Sequence, residues 1–249
     1  MAGHNKWSKI KHRKAVVDKR RGKVWTKISK AIIVAAKHGG GDPASNLTLR
    51  YAMDEARYAN MPRDTVERAI KKGAGGGENV NYENNRYEGY GPGGVAIIVD
   101  ALTDNRTRTI TDLRTAFGDH GGNVGTSGSV AYLFQPRGQI LVNGEGVTED
   151  RIMELAIDAG ALDAQAPDDA ETPIWTILTE VAAFNSVKEK IEKAGLTITD
   201  AQLSMIPDNF VTVRGEHAKQ IMELIDGLED LDDVQKVYSN ADIPDEELG

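Results

Sequence analysis

The chain has no cysteine, only 6% aromatic residues, and no apolar run longer than the six residues AIIVAA at 31–36. The first absence excludes disulfides, thiolate nucleophiles and cysteine-type zinc sites together. The last excludes a membrane helix, which needs roughly 18 consecutive apolar residues. The basic start is not followed by an apolar segment and a small-residue cleavage site, so no secretory signal is expected and the cytoplasm is the expected compartment. Catalytic patterning is also thin. His4, His12, His38, His120 and His217 are scattered, with no two spaced as metal ligands on one helix face. No serine or aspartate stands beside a histidine in a way that suggests a hydrolytic site. The expectation is a chain without catalytic residues, metal or cofactor.

What is abundant is positive charge, and it is confined to one end. Residues 1–72 hold 18 Lys and Arg against 6 Asp and Glu, whereas the remaining 177 hold 12 against 32. The net charge of −8 therefore hides a basic front and an acidic body, an asymmetry that points to a polyanion partner. The density peaks where Lys6, Lys9, Lys11, Arg13, Lys14, Lys19, Arg20, Arg21, Lys23, Lys27 and Lys30 face only Asp18. Such a run gains affinity by releasing counterions from phosphate. Trp7 and Trp25 lie within it, so stacking on unpaired bases is open to both, with a core position in the following helix as the other reading of Trp25.

Hydrophobic periodicity predicts the architecture. Val24, Trp25, Ile28, Ile32, Ala35 and Ala36 form one helical stripe, with Lys23, Lys27, Lys30 and Lys37 opposite. Glycines 39–41 end that helix, Asn46 can cap a second, and Pro62 opens a third that Gly73 closes. The next segment, rich in Gly and Asn, lacks a period and reads as a linker over 76–93. Strands are expected at 95–101, 129–134, 139–142, 162–166, 174–178, 196–205, 210–213 and 234–239, with helices between them. Residues 136–206 then make a β-α-β-β-α-β unit, and 94–135 with 207–240 make a second copy. The predicted class is α+β: a three-helix basic nucleic-acid-binding module (1–75), then two ferredoxin-like domains, one inserted into the other, and a solvated acidic tail (241–249).

Two glycine loops, GYGPGG (89–94) and GDHGGNVGTSGS (118–129), resemble phosphate cradles but lack the Walker and dinucleotide spacings, so tight turns are the expected role. Asn105, Arg106 and Arg108 stand where a strand gives way to a helix, a secondary anion or partner contact. The clusters Asp168, Asp169, Glu171 and Asp230, Asp232, Asp233 read as solvated loops.

MAGHNKWSKIKHRK, AAKHGGGDPASNLTLR, YEGYGPGGVAIIVDALTDNRTRT and GGNVGTSGSVAYLF resemble the YebC/PmpR family, which includes the mitochondrial translational activator of cytochrome c oxidase. The match runs from residue 2 to about residue 240, with SMIP (204–207) and LEDLDDVQKVYSN (228–240) in register. The resemblance implies three domains, no enzyme activity, and either promoter DNA binding in transcriptional regulation or action on the ribosome where proline-rich stretches stall it. It also implies that Lys6, Trp7, Lys9, Lys11, Arg13 and Lys14 form the nucleic-acid arm.

The residues themselves show no helix-turn-helix, zinc finger or RNA-recognition aromatic motif. An acidic body would be repelled by a long duplex beyond the tip's reach, at a Debye length of about 8 Å. That favours a folded RNA crevice such as ribosomal RNA, with promoter DNA as the competing target. A different class also remains open: a protein- or small-ligand-binding module whose pocket is lined by the two glycine loops and Arg106.

Overall fold

A computed structural model describes residues 18–75, 81–167 and 173–247. Three helices come first: α1 (Asp18–Gly39), α2 (Leu47–Tyr58) and α3 (Arg63–Ala74). Their core is the predicted stripe, with Ile28, Ile32, Ala35 and Ala36 buried against Leu49, Ala52, Ala56, Val66 and Ala69. Trp25 packs against this core and donates its indole N–H to the Ala59 carbonyl at 3.0 Å, so its ring is a structural member of the bundle. Val24, expected on the dry stripe, is instead exposed. Close approach of α1 and α3 depends on Gly73, where a Cβ would lie 2.3 Å from the Ile33 carbonyl oxygen.

Asn46 serves two helices at once. Its Oδ1 accepts from the Leu49 N–H at 3.1 Å, capping α2, while its Nδ2 donates to the Ala35 and Gly40 carbonyls, both at 2.8 Å, satisfying the end of α1. Gly40 takes the left-handed conformation (φ 84°) that turns the chain off α1.

After the helices come β1 (Glu83–Tyr90), β2 (Ala96–Thr103), α4 (Arg106–Asp119), β3 (Asn123–Val124), β4 (Phe134–Asn143), α5 (Glu149–Ala159), β5 (Asp163–Gln165), β6 (Ile174–Thr179), α6 (Phe184–Lys193), β7 (Thr197–Pro207), β8 (Val211–Thr212), α7 (Gly215–Asp230), β9 (Val234–Ser239) and β10 (Ala241–Asp242). The described residues fall into two compact units, Gln135–Ile206 and the flanking 18–134 with 207–247. The helical bundle thus clusters with the outer sheet rather than as a body of its own.

The unit Gln135–Ile206 has strand order β5-β6-β4-β7, with β4 and β5 both antiparallel to β6. With its β-α-β-β-α-β chain order this is a ferredoxin-like arrangement. Ile140, Val142, Ile152, Ile177, Phe184, Val187 and Ile191 are buried within the unit.

The outer sheet has the order β3-β1-β2-β9, antiparallel throughout. Its layout is also ferredoxin-like, but the strand between β2 and β3 is β1, contributed from upstream. Residues 83–90, expected within a linker, therefore form a central strand. Its polar sequence is explained by its partners: Arg86 opposes Asp100 and binds it bidentately at 2.7 and 2.8 Å, and Gly89 lies where a Cβ would be 2.7 Å from the Phe117 ring. On the same face Lys236 opposes Asp100 from β9 and reaches Glu55 of α2 at 3.7 Å. β2 is buried along almost its whole length, which its unbroken apolar run reflects.

Three further expectations change. Of residues 129–134 only Phe134 is in a strand: a turn at Ala131–Leu133 leads directly into β4, which begins there. Residues 210–213 yield only the short β8, paired in parallel with β10 outside the main sheet. The acidic tail contributes β10 and the buried Ala241 and Ile243, so its start is packed rather than solvated. Where the chain leaves and re-enters the outer unit, the Asp208 N–H donates to the Leu133 carbonyl at 2.8 Å.

Replacing Asn46 by Ala strands two carbonyls and one N–H at a buried junction. The expected loss is about 2 to 4 kcal/mol in unfolding free energy. Asn46→Asp keeps the cap but sets a buried carboxylate oxygen against both carbonyls, so it should cost at least as much; urea denaturation midpoints measure both.

Candidate nucleic-acid interface

α1 carries the described end of the basic run. Lys6, Trp7, Lys9, Lys11, Arg13 and Lys14 lie outside the described residues, as do the side chains of Lys19, Arg20 and Arg21. Lys23, Lys27 and Lys30 recur at helical spacing, and their common face is turned onto the C-terminal end of α7. Their ammonium groups donate to the carbonyls of Asp230 at 3.3 Å, Glu229 at 2.5 Å and Asp232 at 3.0 Å. Lys23 also pairs with the Asp230 carboxylate at 3.2 Å, and Lys30 with Asp233 at 3.7 Å. The final carbonyls of a helix lack intrahelical partners and form its negative pole, so cations there complete the helix. Expected on a phosphate-facing surface, Lys23 and Lys27 instead cap α7, and Lys30 holds the turn that follows it.

The cluster at the start of α4 is also occupied from within. The Asn105 side chain accepts from the Arg108 N–H at 3.0 Å, making it the helix cap. Arg106 binds Glu83 at 2.7 Å. The Arg108 guanidinium binds Asp104 and Asp233, each at 2.7 Å. The same Asp233 oxygen lies 2.9 Å from the Thr109 hydroxyl and 3.2 Å from that of Thr103. Asp233, expected in a solvated loop, is thus buried. Burial opposes its charge, but the hydrogen bonds from Arg108 and Thr109 and the charges of Arg108 and Lys30 outweigh it and hold the carboxyl below its ordinary range. The Arg108 guanidinium, bonded to Asp233 and Asp104, is held still more firmly protonated.

A cleft of about 810 Å³ opens beside this network, and five aspartates outnumber three cations among its lining residues. That balance does not suit phosphate. Neither Arg106 nor a glycine-loop residue lines it, unlike the pocket expected of a ligand-sensing module.

The glycine loops behave as turns. GYGPGG joins β1 to β2, with Gly93 and Gly94 at φ 71° and 78°. At the end of GDHGGNVGTSGS and in the two residues after it, backbone N–H groups do converge on an anion, but it is the Glu88 side chain. Gly128 donates to one carboxylate oxygen, and Val130 and Ala131 donate to the other, all at 2.7 Å. Glu88 is buried; burial opposes its ionisation, but these three donors and nearby Arg86 prevail, so its pKa is lowered. The diversion of the Val130 and Ala131 donors to Glu88 explains why no strand forms there. Only a lone carboxylate in a segment without apolar period marked Glu88 in the sequence.

The Asp168, Asp169 and Glu171 cluster lies outside the described residues. Among the described residues no group of three or more His, Asp or Glu is placed to hold a metal, and no helix is long and apolar enough to cross a membrane.

Both buried carboxylates make stability depend on pH in the same direction. Their folded pKa values are depressed, so their contribution is complete above the ordinary values of 4.5 for Glu88 and 3.8 for Asp233 and is lost as pH falls through the lower folded values. Glu88→Gln should cost about 3 kcal/mol at neutral pH by opposing a donor to donors. Asp233→Asn should flatten the acid limb of stability; denaturation at a series of pH values checks both.

Comparison with known proteins places this geometry. The family model described as "TACO1/YebC protein N-terminal domain" matches residues 5–76, and the model described as "TACO1/YebC second and third domain" matches residues 82–241. A probable transcriptional regulatory protein of Syntrophotalea carbinolica is 50% identical over 248 residues, covering 100% of this chain and 98% of the relative. One of the same description from Polynucleobacter asymbioticus is 52% identical over 241 residues, covering 97% and 99%. The crystal structure of a conserved hypothetical protein from Aquifex aeolicus superposes with a TM-score of 0.85 at 45% identity, covering 95% of this chain and 96% of that one. With full-length relatives and both family models in register, the chain belongs to the TACO1/YebC family.

Proposed function

We propose that this protein is a non-enzymatic, cytoplasmic regulator of gene expression that binds nucleic acid through the basic residues at the start of the chain. The observation that carries the reading is the concentration of eleven lysines and arginines in residues 4–30 against the single Asp18. The relatives named as probable transcriptional regulatory proteins support a regulatory role. Because Lys23, Lys27 and Lys30 bind the end of α7 and the turn that follows it, the principal phosphate contacts fall to Lys6, Lys9, Lys11, Arg13 and Lys14, continued by Lys19, Arg20 and Arg21, with Trp7 available for stacking.

The acidic remainder of the chain favours a target that admits a basic tip while keeping its own phosphates away from the body. Folded ribosomal RNA, with the ribosome as partner, meets that requirement better than an extended duplex. Promoter DNA is the second reading, and the relatives' names favour it.

Changing Lys9, Lys11, Arg13 and Lys14 together to Ala should weaken binding about equally for all sequences and lower the salt slope by about 0.7 to 0.9 for each phosphate no longer neutralised. An unchanged slope would remove this run as the anchor. Sedimentation with ribosomes at two salt concentrations, beside recovery of bound DNA, separates the targets. Salt-sensitive co-migration abolished by deletion of residues 1–17, which spares α1, supports the ribosome, whereas discrete promoter fragments support transcriptional control.

A further inference from the structure

The lysines that bind the end of α7 and the turn after it belong to the same basic run as the proposed phosphate ligands. Their partner is built like a short polyanion. Four of the five residues in 229–233 are acidic, and the terminal carbonyls of the 16-residue α7 add its negative pole. The pairings are graded in depth. The Lys23 and Asp230 side chains are 47% and 63% exposed, whereas those of Lys30 and Asp233 are 20% and 8% exposed. The outer pair is screened by solvent and contributes little stability, while the inner pair is fixed in the Arg108 network. The lysines bind the backbone carbonyls of 229, 230 and 232, contacts that do not require the Asp230 and Asp232 carboxylates. The exposed carboxylates of Asp230 and Asp232 add charge at the edge of the lysine face, where it repels an approaching phosphate.

We propose, resting on the reading of the basic run as a nucleic-acid anchor, that the acidic turn 229–233 is an intramolecular competitor for nucleic-acid phosphate on α1. In the free protein it occupies the lysine face. A bound nucleic acid extends its contacts along α1 by displacing the outer carboxylates, beginning at Lys23, so the turn lowers affinity for any polyanion that reaches the lysine face. Asp233 stays in place as the fixed end of the seam, held by Arg108 and Thr109.

The test is the double variant Asp230→Asn with Asp232→Asn, which retains every lysine-bound carbonyl. Its control is Asp150→Asn with Asp158→Asn on α5, which changes the net charge equally in the unit Gln135–Ile206. Wild type and both variants, in the full-length chain with thermal unfolding checked, are titrated with one fluorescent hairpin RNA over a salt series. The seam variant should bind about threefold or more tighter than the control, with a slope steeper by about 0.7 to 0.9 per lysine released. Amide hydrogen exchange at 226–231 of wild type should also rise when the RNA binds. Coincident curves for the seam variant and the control overturn the competitor while leaving the nucleic-acid reading intact. Absence of binding by all three proteins overturns both.

Discussion

The buried carboxylate of Asp233 is the point on which the outer unit depends. It gathers Arg108 and Thr109 from α4, Thr103 from the end of β2 and Lys30 from α1, groups far apart in the chain. Buried charge is tolerated only where paired and hydrogen-bonded, so each partner is an obligation as well as a contact. Satisfying that obligation fixes the start of α4, the entry to β9 and the side of α1 that turns inward. The main-chain bond from the Leu102 N–H to the Asp233 carbonyl at 2.8 Å ties the same turn to β2.

Glu88 does for the glycine loop what Asp233 does for the start of α4. In both places the protein has built surroundings that stabilise an anion and then supplied the anion itself. A cradle of backbone N–H groups or a helix N-terminus binds whichever negative group is nearest at high effective concentration, and a covalently attached carboxylate outcompetes free phosphate. The phosphate-loop likeness of GDHGGNVGTSGS therefore reflects real electrostatics whose ligand is internal. The seam between α1 and α7 obeys the same logic with the signs exchanged. Eleven cations in one run need counter-charge, and a helix C-terminus with its acidic turn provides part of it.

Elements with a clear apolar period were legible. The α1 stripe, the Asn46 cap and the helices carrying Leu113, Ile152, Val187 and Ile221 follow from spacing alone, because one buried face imposes one period. β1 was not legible. Its residues are held by Asp100 across the sheet, by the Phe117 ring above Gly89 and by the glycine loop around Glu88, none of which lies within the segment. Residues 129–134 erred in the opposite sense: an apolar alternation suited to a strand, with backbone donors already taken by a side chain.

Composition and local order were enough to establish the charge division, the α+β class, the basic run as the candidate binding element and the family resemblance. That Lys23, Lys27 and Lys30 of that run meet the protein, and which anion each apparent anion site receives, emerged only once the chain was folded. Those outcomes depend on groups brought within about 3 Å from positions far apart in the chain, and at that range a hydrogen-bonded opposite charge outweighs any local preference.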